Sequence, residues 1–201
     1  MGSANLRAAA GALPALALAL TLSAPAAAST QGDFNVFVKG GAGDYTGSLG
    51  AFTHPGPTWG AVLNFQPYDF LGVELGYEGS RQTVDDNRFA SGDAPTLLRN
   101  GGASLIKLSP PFLERVRPFI GAGLGATYVH VAGEANGLYV SDFMEEVPLA
   151  AGLEFNAGAL TAGVRATFRV LLNQAFADAA LAQSGPDGGL FDAALTLGAR
   201  F

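Results

Sequence analysis

Residues 191–201 read FDAALTLGARF, and apolar side chains occupy every second position of this segment. The residues between them are small or polar. A period of two is typical of a β-strand with one apolar face, whereas a helix repeats every 3.6 residues. The segment therefore predicts a strand whose apolar face consists of Phe191, Ala193, Leu195, Leu197, Ala199 and Phe201.

The same alternation recurs upstream, in segments that cover 34–39, 59–65, 71–78, 120–128, 147–155 and 160–169. An eighth segment, 97–108, is irregular because Arg99, Asn100 and Lys107 leave its register open. The connections alternate between long stretches rich in Gly, Pro, Asp, Ser and Asn and short ones. This pattern predicts an all-β fold, an eight-stranded antiparallel up-and-down barrel.

The volume of the side chains indicates which face of the barrel is apolar. An eight-stranded barrel has an interior only just wide enough for side chains to fill, so the large apolar rows do not fit inside. The rows are therefore predicted to face lipid, with the Gly and charged rows inside. Two aromatic girdles support a transmembrane barrel: Phe34, Phe65, Phe155 and Phe201 at the short-loop rim, and Trp59, Tyr77, Tyr128, Phe168 and Phe191 at the long-loop rim.

The first 28 residues have the pattern of a cleaved export signal. Arg7 precedes an Ala- and Leu-rich run, and Ala26-Ala27-Ala28 provides a small-residue end. This order predicts a Sec-type signal peptide at 1–28 and a barrel domain at 29–201. A membrane anchor is the weaker interpretation, because Gly11, Pro14 and Pro25 interrupt the run.

The chain resembles the eight-stranded bacterial outer-membrane barrels of the OmpA transmembrane-domain and OmpX type. The resemblance rests on FLGVELGYEGS (70–80), RPFIGAGLGATYVH (117–130) and the closing LTLGARF (195–201). It implies an outer-membrane location, contact with membrane lipid and lipopolysaccharide, and a surface role for the loops. It also implies that Leu195, Leu197 and Phe201 form the signal read by the outer-membrane assembly machinery.

Charged residues on the small and polar rows are predicted to point into the lumen. Buried charges must be paired, so a network of mixed sign is expected. It could plug the lumen and tie the strands together, or it could gate a narrow passive channel for small polar solutes or ions. The predicted members are Lys39, Glu74, Glu78, Glu154, Arg165, Arg169 and Arg200.

The long loops are acidic, and two adjacent pairs are the candidate sites for a cation or a surface ligand. These are Asp85-Asp86 in the second long loop and Glu145-Glu146 in the third. Divalent cations held there could bridge to lipopolysaccharide. A solvated rim is the simpler interpretation of the same acids.

Other functions find little support in the sequence. A lipid A deacylase needs a Ser two residues from its His, but Ala132 follows His130 at that spacing. With no Cys and two isolated His residues, we predict no enzyme activity, no metal site and no cofactor. The net charge of −6 argues against nucleic acid as a partner. A soluble periplasmic lipocalin-like binder remains an alternative, and it requires the apolar rows to line a cavity.

Overall fold

The computed structural model describes residues 33–85, 94–110, 115–133, 138–173, 177 and 188–201. The predicted signal peptide lies outside the described residues. No helix in these ranges is long and apolar enough to cross a membrane.

The described residues form a closed eight-stranded antiparallel barrel. Each strand pairs with its neighbours in sequence, and the last strand pairs with the first. A two-residue strand, Thr53–His54, adds to the third strand at one rim. The barrel strands are β1 Asp33–Tyr45, β2 Gly56–Tyr68, β3 Leu71–Val84, β4 Thr96–Leu108, β5 Val116–Ala132, β6 Asp142–Ala157, β7 Leu160–Leu172 and β8 Gly189–Arg200.

The connections differ in length at the two ends of the barrel. At the short-loop rim the strands are joined by 69–70, 109–115 and 158–159, and at the long-loop rim by 46–55, 85–95, 133–141 and 173–188. This alternation confirms the predicted up-and-down topology. The strands extend further toward the long-loop rim than the alternating segments indicated: β3 continues to Val84, and β6 begins at Asp142.

The outer wall is apolar, and the inner wall is polar over most of its length. Leu124 and Leu195 on the outer wall are 71% and 69% exposed. All nine predicted girdle aromatics are also exposed on the outer wall. Phe34 lies opposite Phe65 toward the short-loop rim, and Phe168 lies opposite Phe191 toward the long-loop rim. The lipocalin-like alternative is therefore wrong, because it needs these rows inside.

The structure determines the register of β4 that the sequence left open. Arg99 and Lys107 point inward and are buried, whereas Asn100 points outward. The Tyr77 hydroxyl donates a hydrogen bond of 2.8 Å to Asn100 Oδ1, which satisfies this amide oxygen on the apolar wall. The alternation of this strand is irregular because polar residues, Asn100 and Ser104, occupy outward positions.

The pair Glu145-Glu146 is not a loop site, and that interpretation was wrong. Both residues lie within β6, where successive side chains point to opposite faces. Glu145 is exposed on the outside and accepts a hydrogen bond from Asn173 Nδ2 at 2.5 Å. Glu146 is buried in the lumen. Two adjacent carboxylates on one strand therefore cannot converge on one cation.

Candidate functional site in the charged lumen

One group of ion pairs lies in the half of the lumen nearer the short-loop rim. Glu74 on β3 accepts a hydrogen bond from Arg165 Nη1 on β7 at 2.7 Å, and its other oxygen lies 3.4 Å from Lys107 Nζ. Lys107 also pairs with Glu154 on β6. These four side chains, Glu74, Lys107, Glu154 and Arg165, are called the lower cluster.

Two aromatic rings pack against the cations of the lower cluster. Lys107 Nζ lies 4.6 Å from the ring centre of Phe119 and 5.9 Å from that of Phe37, and Arg165 Cζ lies 5.4 Å from Phe119. Cations are attracted to the faces of aromatic rings at such distances. The rings therefore stabilise the cations and fill space that water would otherwise occupy.

A second group of ion pairs, the upper cluster, lies nearer the long-loop rim. Arg169 is its hub, because it contacts Glu78 on β3, Asp192 on β8 and Glu146 on β6, the last at 3.6 Å. Lys39 bridges Glu78 and Asp192, and Arg99 pairs with Glu146. The upper cluster thus consists of Lys39, Glu78, Arg99, Glu146, Arg169 and Asp192.

The two clusters cross-link opposite walls of the barrel. Glu74–Arg165 and Glu78–Arg169 both join β3 to β7, which lie four strands apart in the ring of eight. Among the described residues the clusters contain five cations and five anions, so their formal charges cancel. This cancellation meets the requirement that buried charges be paired.

Glycines on the inner face of β5 allow ion pairs to form past that strand. Arg99–Glu146 and Lys107–Glu154 each span 47 residues and join β4 to β6, although β5 lies between them. The inward positions of β5 include Gly121, Gly123 and Gly125. A side chain at Gly125 would lie 3.0 Å from Glu146 Cγ. The missing side chains therefore provide the space in which these pairs meet.

The cavity that lies between the two clusters is small. Its volume is about 10 Å³, and it is lined by residues that include Glu74, Glu78, Arg165 and Arg169. A single water needs at least roughly this volume. This cavity therefore holds no more than about one water molecule.

The structure places six of the seven predicted lumen residues in the two clusters. The seventh, Arg200, is half-buried near the short-loop end of β8. Four members were missed: Arg99, Lys107, Glu146 and Asp192. The spacing held a signal for three of them: Arg99 and Lys107 are eight residues apart, and Glu146 is eight residues from the predicted member Glu154. An even spacing keeps both members of a pair on one face of a strand.

The remaining candidate positions lie at the long-loop rim. Asp85 pairs with His54 at 3.1 Å, and both side chains are well exposed; Asp86 lies outside the described residues. No group of three or more potential metal ligands occurs in the described ranges. His130 is exposed on the outer wall, and Ser141 Oγ lies 3.4 Å from its Nδ1. Sequence spacing missed this contact, because Ser141 lies across a loop.

Comparisons with known proteins bear on the fold alone. No protein-family model and no curated protein matches the sequence. Among solved structures, Ail of Yersinia pestis, crystallised with the heparin analogue sucrose octasulfate, is 12% identical with a TM-score of 0.57, over 85% of this chain and 99% of Ail. Neisserial surface protein A is 12% identical with a TM-score of 0.55, over 84% and 97%.

A third similar structure is the outer membrane protein OprG from Pseudomonas aeruginosa. It is 14% identical with a TM-score of 0.51, over 85% of this chain and 96% of OprG. Identities this low establish the architecture and leave the function open. The chain has the fold of the eight-stranded outer-membrane barrels.

Proposed function

We propose that this protein is a non-enzymatic barrel of the bacterial outer membrane, with a plugged lumen and a structural or surface-interaction role carried by the long loops. The observation that supports this proposal most strongly is the pairing of charges across the lumen. Ten charged side chains pair across the lumen and leave a cavity of only about 10 Å³. Export by the Sec pathway, with cleavage after residue 28, belongs to the same proposal.

The plug predicts that the barrel does not conduct. We expect purified protein in planar lipid bilayers to show no single-channel steps, because ions would have to displace paired charges. The comparison is Glu74→Gln, which frees Lys107 and Arg165 from a shared partner, and the matched control is the outward Glu145→Gln. Regular steps in the unmodified protein that grow with Glu74→Gln would replace the plug with the narrow-channel hypothesis.

Trp59 provides a test of membrane placement, because it is the only Trp and lies exposed on the outer wall opposite Gly79. We expect its fluorescence to be quenched strongly when the barrel is reconstituted in lipids with brominated acyl chains, since aromatic girdles lie at the membrane interface. Tryptophan emission that is insensitive to brominated lipid, from protein that stays in solution without detergent, would contradict a membrane location.

The proposal includes no cofactor and no enzyme activity. Ser141 Oγ contacts His130 and accepts a hydrogen bond of 3.1 Å from the Val131 N–H. Among the described residues, no carboxylate is paired with His130. A hydrolytic triad needs a carboxylate that orients the His. We propose lipopolysaccharide and the outer-membrane assembly machinery as partners, the latter through Leu195, Leu197 and Phe201.

The net charge narrows the choice of surface ligand. The formal charges of the lumen clusters cancel, so the net charge lies outside them. Without Arg7 of the predicted signal peptide, residues 29–201 have 10 Lys and Arg against 17 Asp and Glu, a net charge of −7. Such a charge repels polyanions at long range. The sulfated sugar bound by Ail is therefore a poor guide to this chain. A neutral or cationic surface ligand fits the long loops better, and an anionic partner such as lipopolysaccharide would need bridging divalent cations there.

A further inference from the structure

The lumen changes from polar to apolar at the long-loop rim. Seven strands each place one buried apolar side chain inward at this level, and these seven are called the apolar ring. Lipid cannot reach them, because they face the lumen. The ring consists of Tyr45, Val84, Leu97, Val129, Met144, Leu171 and Leu190.

On four strands the apolar ring lies one inward position beyond the upper cluster. Leu97 is two residues from Arg99, Met144 from Glu146, Leu171 from Arg169 and Leu190 from Asp192. Two residues along a strand correspond to roughly 6.6 Å. A layer of apolar side chains therefore stands directly between the charges and the long-loop rim.

The first long loop covers this ring. Its residues 49–52 form a short 3-10 helix, Leu49–Phe52, and Leu49 packs into the ring with only 1% of its surface exposed. Phe52 packs against the same group, and Tyr139 of the third long loop joins it. Residues 46–55, called here the first-loop lid, thus fold over the mouth of the lumen.

Polar contacts hold both ends of the first-loop lid. The Thr46 N–H donates to Gly189 O at 2.8 Å, and the Gly189 N–H donates to Thr46 Oγ1 at 3.0 Å. At the other end, the Asp85 N–H donates to Phe52 O at 2.7 Å, and Thr53 Oγ1 donates to Asp44 Oδ1 at 2.8 Å. The lid is therefore fastened to β1, β8 and the end of β3.

We propose that the first-loop lid and the apolar ring form a second barrier that seals the lumen at the long-loop rim, independently of the charged plug beneath it. The lid keeps water away from the upper cluster while it is closed. Release of Leu49 opens the mouth and admits small solutes as far as the charges. This inference rests on the plugged lumen of the proposed function.

The test uses the absence of Cys from the chain. Val129→Cys places one thiol in the ring, and a membrane-impermeant cationic methanethiosulfonate reports its accessibility. We expect slow labelling with the native lid and labelling at least about tenfold faster after Leu49→Asp, because the lid opens locally more often. Thr83→Cys, on the exposed face of β3, is the control and should label rapidly in both backgrounds.

The folded state is checked by the difference in gel migration between unboiled and boiled protein. If Leu49→Asp does not fold, Thr46→Val serves instead, since it removes the hydroxyl that accepts from Gly189. Fast labelling of Val129→Cys beneath a native lid, or equal rates with and without the lid substitution in folded protein, would overturn the lid. Conductance that appears only after Leu49→Asp would contradict the plug alone, whereas fast labelling of Val129→Cys in a protein that does not conduct would contradict the lid alone, so the two failures are distinguishable.

Discussion

Glu146→Gln is expected to destabilise the barrel by about 3–5 kcal/mol, the cost of leaving a buried charge without its partner. Glu146 is 2% exposed and is the carboxylate that pairs with Arg99. It also contacts the hub residue Arg169. Urea unfolding in lipid vesicles, followed by Trp59 fluorescence, measures the loss.

The neighbouring residue provides the matched control. Glu145→Gln makes the same chemical change one position away, on the exposed face of β6, and should cost no more than about 1 kcal/mol. Because a slip of one residue exchanges the two faces of a strand, the opposite ranking would mean that the register of β6 is wrong. Replacing both Arg99 and Glu146 with apolar residues should recover most of the loss.

Gly123→Ala is expected to cost about 3 kcal/mol or to prevent folding, because it overpacks a site that cannot give way. A Cβ at Gly123 would lie 2.7 Å from Leu105 Cα and would overlap Ser104 O, both of which are backbone atoms of β4. The readouts are the yield of the folded band on unboiled gels and urea unfolding of the fraction that folds.

Gly102→Ala is the control for this steric effect. Gly102 lies on the outer face of β4, and a Cβ there would meet Gly76 O at an ordinary 3.6 Å. We expect Gly102→Ala to be neutral or to stabilise by up to about 1 kcal/mol, since Ala restricts the unfolded chain. Equal effects at Gly102 and Gly123 would contradict the inward orientation of the β5 glycines.

The outward-facing residues of the barrel could be predicted because all of them face the same apolar environment. Every outward position in the apolar band must suit the same environment, so the period of two appears in each strand and needs no knowledge of the neighbours. Segments such as 160–169 and 191–201 show it clearly. Fold class, strand number and topology followed from this repetition and were confirmed.

The lumen was predicted only in part, because its contacts depend on the pairing of distant strands. Arg99 and Lys107 were left open, since the outward Asn100 breaks the apolar row of β4 and its partner Tyr77 lies on another strand. The sequence indicates a loop at Glu146 because the apolar row of β6 begins at Val147, whereas the strand begins at Asp142. The ion pairs that join β4 to β6 past β5 could be identified only once the pairing register of the strands was known.

The pairing of β1 with β8 determines when the barrel can close. It pairs Asn35 with Arg200 and Tyr45 with Leu190, so one edge of β1 has no partner until β8 has been synthesised. In hydrocarbon an open sheet edge is not tolerated, because its backbone groups cannot bond to water. A barrel that lacks β8 is therefore not stable in the membrane. On its own the barrel can close only after β8 has been translated.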